Sequence, residues 1–429
     1  MARKMKDSGI EWIGVIPEGW RTINPKALFT QRKDKAQKGE RQLTSSQQYG
    51  ILYQDDYMEL TGSKVVTVEK DFDILKHVEA GDFVISMRSF QGGLEYSTKS
   101  GAISSAYVML VPNLELVYPR FYRWLLKSSV YIDALQRTTN MVRDGQAMRY
   151  SNFAQVRLFT LPLDEQKSRA DFLDLECSSI DKILFKTRSS IEEYKKLKQA
   201  VITQAVTKGV RGEREMKNSG VEWIGEIPKE WGRTKIKMIA SFFNGDRTSR
   251  YPQPSDFVDS GVAFLTSRNI DSDEVDLSET KYITDDKYKS LSGAKIQIDD
   301  IIFCLRGSVG KCAINRTLSC GTVASSLATI RPKDIYPEYL LYFLLSNIAS
   351  TQTTIFMNGT CAANLSAESV GNYYITLPIS AEQKEIADYL DAKCAEIDKL
   401  IAKKEQLVKE LESYKKSLIY EVVTGKREV

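Results

Sequence analysis

Histidine is almost absent from this sequence. Among 429 residues His77 is the single imidazole, no partner for it stands out in the pattern, and an exposed structural role is expected of it. The six cysteines lie scattered, and Cys304, Cys312 and Cys320 are eight apart with no C-x-x-C pairing. That spacing argues against a zinc site or a disulfide framework and for a reduced, cytoplasmic protein. No run approaches the ~18–20 apolar residues of a membrane span, and no apolar signal-peptide stretch follows Met1. Charge of one sign is also scarce: Lys and Arg number 60 against 56 Asp and Glu, and the net charge of +4 permits nucleic-acid binding without requiring it. Phosphate-binding signatures are missing. Gly307-Ser-Val-Gly310-Lys311-Cys312 lacks the P-loop spacing and ends in cysteine where a magnesium-binding hydroxyl is needed, so it reads as a turn. No G-x-G-x-x-G follows a strand, no [DNS]-P-P-[YFW] tetrapeptide of an amino-methyltransferase occurs, and the carboxylates form no evident metal cluster.

What is present is a duplication. Met5–Trp20 reads MKDSGIEWIGVIPEGW and Met216–Trp231 reads MKNSGVEWIGEIPKEW, identical at eleven of sixteen positions. A second block recurs at LPLDEQKSRADFLDLECSSIDKI from Leu161 and LPISAEQKEIADYLDAKCAEIDKL from Leu377. The order A, B, A, B, with long dissimilar stretches between each A and B, is the layout of two related modules with different surfaces. At 429 residues the chain is also too long for one ordinary core.

The second blocks predict long helices. Leu173, Cys177, Ile180, Leu184, Thr187, Ile191, Tyr194, Lys198, Val201 and Ala205 alternate spacings of four and three, which is a heptad seam. Leu390, Cys394, Ile397, Ile401, Lys404, Val408, Leu411, Lys415, Leu418 and Val422 repeat it at a constant offset of 217. Each helix spans more than thirty residues, or roughly 50–60 Å. Two matched seams in one chain most simply bury each other as an intramolecular coiled coil; the alternative is that each seam packs on its own globular domain. Ser380-x-x-Gln383 reads as a capping box, and Gly209 and Gly425 as C-terminal stops.

Between the blocks the pattern is mixed α/β. Strands are expected at Asp82–Met87, Ala106–Val111, Ile301–Leu305 and Leu327–Ile330, and helices at Tyr118–Leu135 and Tyr336–Ile348. GAISSAYVMLVP from Gly101 parallels GTVASSLATIRP from Gly321, and Tyr118-Pro119 parallels Tyr336-Pro337. Basic and polar residues cluster where loops are expected. In the first half these are Lys33, Lys35 and Arg41 of the basic run 26–41, then Arg88 and Gln91, then Arg143 and Arg149. In the second half they are Arg247, Arg250 and Tyr251, then Arg268 and Asn269, then Arg306, which matches Arg88. Arginine and lysine grip phosphates or guanine, and Asn and Gln pair with adenine edges.

The A-B-A-B order, the W-I-G-x-I-P-x-x-W opening at Trp12 and Trp223, the "LP…EQ" start of each long helix and Arg88-Ser-Phe-Gln-Gly-Gly-Leu-Glu95 together resemble the specificity (S) subunits of Type I restriction–modification systems, across essentially the whole chain. That resemblance implies an α+β fold. Two mixed α/β target recognition domains, at 1–160 and 212–376, alternate with spacer helices at 161–211 and 377–429. These helices form an antiparallel intramolecular coiled coil with pseudo-two-fold symmetry that acts as a ruler. It further implies binding of a split sequence in double-stranded DNA, one half per domain. The partners implied are two methyltransferase (M) subunits carrying S-adenosylmethionine and two restriction (R) subunits using ATP and magnesium, with no cofactor, metal or catalysis on this chain and no membrane association. Because the two middle stretches differ, an asymmetric bipartite target is expected. One departure is that Gly261-Val-Ala-Phe-Leu-Thr-Ser-Arg-Asn269, similar to a stretch common in the family, has no clean counterpart in the first half, where GILYQDDYMEL runs from Gly50. The alternative reading is a coiled-coil adaptor that bridges two proteins and binds no DNA.

Overall fold

The computed structural model describes residues 3–68, 72–86, 94–138, 149–270, 273–357 and 364–429. The chain divides into two compact units, Met1–Thr187 with Gln406–Val429, and Arg188–Glu405. The division runs through both long helices, so each unit takes part of each. The α+β architecture expected from the sequence is present, and the two units repeat one plan.

In the first unit a small hairpin, Met5–Asp7 with Val15–Pro17, precedes a strand Arg21–Ile23 that pairs with Leu158–Thr160. The main antiparallel sheet orders its strands Phe29–Arg32, Tyr107–Pro112, Phe83–Ser86 and Glu95–Tyr96. The second unit has the hairpin Met216–Asn218 with Glu226–Pro228, the pair Gly232–Lys235 with Tyr374–Leu377, and a main sheet in the same order: Ala240–Asn244, Leu327–Pro332, Ile301–Cys304 and Cys312–Ile314. The four strands expected from β-branched and aromatic runs are all found. The two middle helices are each broken in two, at Pro119–Leu126 and Ser129–Gln136, and at Pro337–Leu345 and Asn347–Met357. The break falls at a serine in extended conformation. The Ser128 hydroxyl donates to the Leu125 carbonyl at 2.7 Å and the Ser346 hydroxyl to the Phe343 carbonyl at 2.6 Å, ending the first helix in both units.

The Glu-Gln pair that opens each long helix is a tertiary lock. Glu382 is buried, accepts the Trp231 indole N–H at 3.0 Å and pairs with Arg214 at 2.6 Å. Glu165 likewise accepts from Trp20 at 3.2 Å and pairs with Arg3. Burial pushes the Glu165 carboxyl up, but the guanidinium groups of Arg3 and Arg169 outweigh it and hold the group at about 2. Gln383 accepts the Tyr336 backbone N–H at 2.8 Å and donates to the Pro378 carbonyl at 2.9 Å. Its carboxamide is therefore spent on a neighbouring segment, and the expected capping box with Ser380 is replaced by this bridge. Gln166 does the same with Tyr118 and Leu161.

The long helices run Leu163–Lys208 and Ser380–Val423, 46 and 44 residues. Their seams are buried as the heptad spacing requires: Leu173, Cys177, Ile180, Leu184, Thr187 and Ile191 on one, Leu390, Cys394, Ile397, Leu418 and Val422 on the other, with Tyr194, Lys198, Val201, Ile401, Lys404, Val408, Leu411 and Lys415 half-buried. Within each unit the two helix segments pack antiparallel. In the second unit Lys198 reaches Asp398 at 2.8 Å and Lys404 lies 5.7 Å from the Tyr194 ring; in the first, Lys415 reaches Asp181 at 2.6 Å. The seam lysine of each helix thus meets an aspartate of the other, which neutralises the polar interruptions seen in the sequence. Burial opposes the charge on Lys198, and Asp398 with Asp273 outweighs it, so the ammonium is held above its ordinary value. Gly209 and Gly425 close the helices at φ +77° and +76°, where a side chain on Gly425 would strike Pro17 and Trp20.

Candidate nucleic-acid interface

The second unit gathers its candidate residues at one end of its sheets. Strand Ala240–Asn244 runs into the loop of Arg247, Arg250 and Tyr251. Strand Val262–Leu265 runs into Arg268, and strand Ile301–Cys304 into Arg306. The registers Asn244 to Ala328, Cys304 to Leu327 and Leu265 to Val323 bring these ends together around the segment Ala324–Leu327. That segment is a backbone hub. Ala324 N–H donates to Leu265, Leu305 N–H to Ser326, and Gly245 N–H to Leu327, at 2.8, 2.9 and 3.2 Å.

The Arg247 loop is fixed by Asp246. Its carboxylate accepts from the Thr248 N–H and hydroxyl at 2.7 and 2.6 Å and from the Ser292 N–H and hydroxyl at 2.8 and 3.1 Å. Burial works against this charge, yet the four donors hold the carboxyl well below the usual range. Gly245 lets the loop approach the hub, since a Cβ there would stand 2.2 Å from the Ala324 carbonyl oxygen. Arg247 and Arg250 are exposed, and Tyr251 packs edge-on against Phe264 at 5.9 Å. Arg268 is 78% exposed, 4.0 Å from Glu279. Arg306 is exposed and its Nε donates to Asn364 at 3.0 Å. Asn269 departs from the expected exposed position. It is buried, and its carboxamide accepts the Thr266 N–H at 2.8 Å while donating to the Asp276 carbonyl at 2.8 Å and to Thr280 at 3.1 Å. With these bonds made, its amide holds the loop and is not presented to a ligand.

The corresponding end of the first unit carries Lys33, exposed just beyond strand Phe29–Arg32. Lys35 is exposed as well and ties to the Asp73 carbonyl at 2.6 Å. Arg41 is placed elsewhere: it precedes strand Leu43–Ser46, lies 3.6 Å over the Tyr53 ring and pairs with Asp55 and Asp56 at 2.7 and 3.2 Å. Arg149 is exposed ahead of the short helix Tyr150–Phe153. Arg88, Gln91 and Arg143 lie outside the described residues. His77 is half-buried, with Glu40 at 3.0 Å from Nδ1 and Glu79 at 3.0 Å from Nε2, so it has partners that sequence spacing did not reveal.

The counterpart of Gly261–Asn269 exists in the first unit, at Gly39–Gln47. Gln42 bridges Ala102 in parallel as Phe264 pairs with Thr322, and Gly101 and Gly321 begin the same duplicated block. A Cβ on Gly101 would meet the Arg41 carbonyl at 2.4 Å, and one on Gly321 the Ala263 carbonyl at 3.1 Å. Leu43-Thr-Ser45 therefore stands where Leu265-Thr-Ser267 stands, and this shared triplet, four residues after a glycine, is the sequence signal for the match. Among the described residues no cluster of His, Cys, Asp or Glu suited to a metal occurs, and no helix is long and apolar enough to cross a membrane.

The geometry agrees with comparisons to known proteins. Residues 228–410 match the family described as the Type I restriction modification DNA specificity domain. The Type I restriction enzyme MjaVIII specificity subunit of Methanocaldococcus jannaschii is 24% identical over 81% of this chain and 80% of its own length. The EcoBI specificity subunit of Escherichia coli is 26% identical over 63% of this chain and 58% of its own length. A chain from a structure described as the basis of complex assembly and conformational transition of the type I R-M system shares the fold. Its TM-score is 0.70 at 14% identity, over 96% of this chain and 99% of that one. Residues 228–410 carry the Type I restriction modification DNA specificity domain, and the chain is similar over most of its length to Type I restriction enzyme specificity subunits.

Proposed function

We propose that this chain selects the DNA sequence for a Type I restriction–modification complex. Each unit reads one half of an asymmetric, split target in double-stranded DNA, and the length of the paired helices sets the spacer between the halves. The observation that carries this reading is the repeated sheet end. One scaffold, with the same main-sheet strand order in both units, presents Arg247, Arg250, Arg268 and Arg306 in one case and Lys33 and Lys35 in the other. Cationic side chains there supply phosphate contacts, and their planar groups discriminate bases. The assembly proposed has two methyltransferase subunits, which carry S-adenosylmethionine and into which the target adenine is flipped, and two restriction subunits using ATP and magnesium. This chain's part is affinity and discrimination.

The test is methylome sequencing of a host expressing the chain with its neighbouring modification gene, against a host with that gene alone. A new split motif with methyladenine in both halves is expected. If the complex assembles and no new motif appears, DNA selection by this chain is refuted.

A further inference from the structure

The match between Gly39–Gln47 and Gly261–Asn269 ends where the two units part company. After Ser267 the second unit makes a short 3-10 turn that buries Asn269 and exposes Arg268. After Ser45 the first unit instead continues its strand to Ser46 and turns through Gln47, Gln48 and Tyr49 into strand Gly50–Tyr53. Both features follow a segment that pairs in parallel with the start of the duplicated block, at Ala102 in one unit and at Gly321–Val323 in the other.

We propose that this Gln47–Tyr49 turn is a base-reading element, and that Gln47 and Gln48 select adenine in the half-site of the first unit. The inference rests on the DNA-reading function above. Three observations carry it. The turn begins at the register position of Asn269, directly after that of the exposed Arg268. Gln47 and Gln48 are exposed, and among the described residues neither side chain has a partner. The turn is also rigid: Ser46 pairs with Gly50, Gly50 takes φ +73°, and the Tyr49 N–H donates to the Ser46 hydroxyl at 3.3 Å. A fixed turn presents its side chains with little ordering cost. Chemistry then selects the base. A primary carboxamide places a donor and an acceptor side by side, which complements N6 and N7 of adenine in the major groove. The guanidinium of Arg268, one register position earlier in the second unit, complements O6 and N7 of guanine. The two units thus offer different readouts from adjacent register positions.

The experiment uses the full complex, purified with its methyltransferase subunits and carrying wild-type chain, the double variant Q47A/Q48A, the double variant Q47E/Q48E, or R268A. Methylated motifs and binding to duplexes with each base substituted are the readouts. For Q47A/Q48A, preference for adenine at one or two positions of one half-site is expected to fall roughly five- to a hundred-fold, with the other half and the spacer unchanged. Q47E/Q48E removes the donor and is expected to shift those positions toward cytosine, whose N4 amino group a carboxylate accepts. R268A relaxes the opposite half-site only. A wild-type split motif with every base preference retained in Q47A/Q48A overturns the inference while leaving the function standing. Loss of assembly by Q47A/Q48A also overturns it, because the turn then belongs to a protein interface. Absence of any wild-type motif refutes the function itself.

Discussion

Changing Glu382 to Gln isolates the interaction that recurs in both halves of the chain. The substitution keeps the shape of the side chain and removes its charge. In the protein the carboxylate is 1% exposed and pairs with Arg214, itself only 14% exposed, at 2.6 Å, while the Trp231 indole donates to its second oxygen at 3.0 Å. After the change Arg214 keeps Glu230 at 2.7 Å and the Lys208 carbonyl at 3.1 Å but loses its buried counter-charge. Breaking one side of a buried pair costs about 3–5 kcal/mol, and the remaining partners of Arg214 place the loss near the lower figure. For a unit of this size that is a drop of roughly 6–12 °C in Tm. A double-mutant cycle with Arg214→Met separates the pair from the rest, with an expected coupling on the order of 2 kcal/mol. Urea unfolding followed by tryptophan fluorescence measures both. A loss under about 1 kcal/mol with no coupling refutes the lock, and the recurrence of Trp and Glu in both halves then has another cause.

His77 is the single histidine, so one imidazole resonance reports its titration. Burial lowers its pKa, but Glu40 and Glu79 outweigh this and raise it above 6.5. Its stabilising effect is therefore full below 6.5 and lost as pH rises through the folded value, a slope that His77→Gln should abolish; a titration at or below 6.5 contradicts this. Gly245→Ala forces a Cβ to within 2.2 Å of one backbone carbonyl and 2.6 Å of another, so a loss of about 1–3 kcal/mol and weaker binding to one half-site only are expected in unfolding and duplex-binding assays. Replacing Arg247 and Arg250 by Ala should flatten log K against log salt by about 0.9 for each phosphate left without its cation, whereas Arg41→Ala, already neutralised by Asp55 and Asp56, should leave the slope alone. Cys177 and Cys394 are buried, and burial pushes both thiols up to about 11, so among the described cysteines a thiol reagent at neutral pH should modify the exposed Cys320 first, read by mass spectrometry.

The long helices were legible because a heptad is a local, periodic signal. Leu173 to Ile191 and Leu390 to Leu418 carry it without reference to any other segment. The breaks at Ser128 and Ser346 were not, since a serine after an apolar run becomes a stop only when its backbone turns extended and its hydroxyl caps the preceding turn. Gln383 and Asn269 were misplaced for one reason. Their local spacing suits a helix cap and an exposed loop, but their carboxamides bond to segments 47 and 7 to 11 residues away. The first-half counterpart of Gly261–Asn269 was hidden by polarity. Glu40-Arg41-Gln42 replaces Val262-Ala263-Phe264, and what survives is backbone pairing to Ala102 and the close approach of Gly101, neither of which depends on side-chain type.

That contrast explains how the chain can keep two copies of one fold and still present two chemistries. The interactions that repeat at the helix starts are paired and largely withdrawn from solvent: tryptophan to glutamate, and glutamine to a backbone N–H. Removing one partner from such a pair costs several kcal/mol, a large share of a unit's stability. The residues that differ, Lys33, Gln47 and Gln48 in one unit and Arg247 and Arg268 in the other, are exposed near the strand ends. Substitution at such positions usually changes stability by no more than about 0.5 kcal/mol. The physics therefore separates the two demands. The scaffold is held where exchange is expensive, and discrimination is placed where exchange is nearly neutral, so either unit can acquire a new half-site without disturbing the helices that join it to the other.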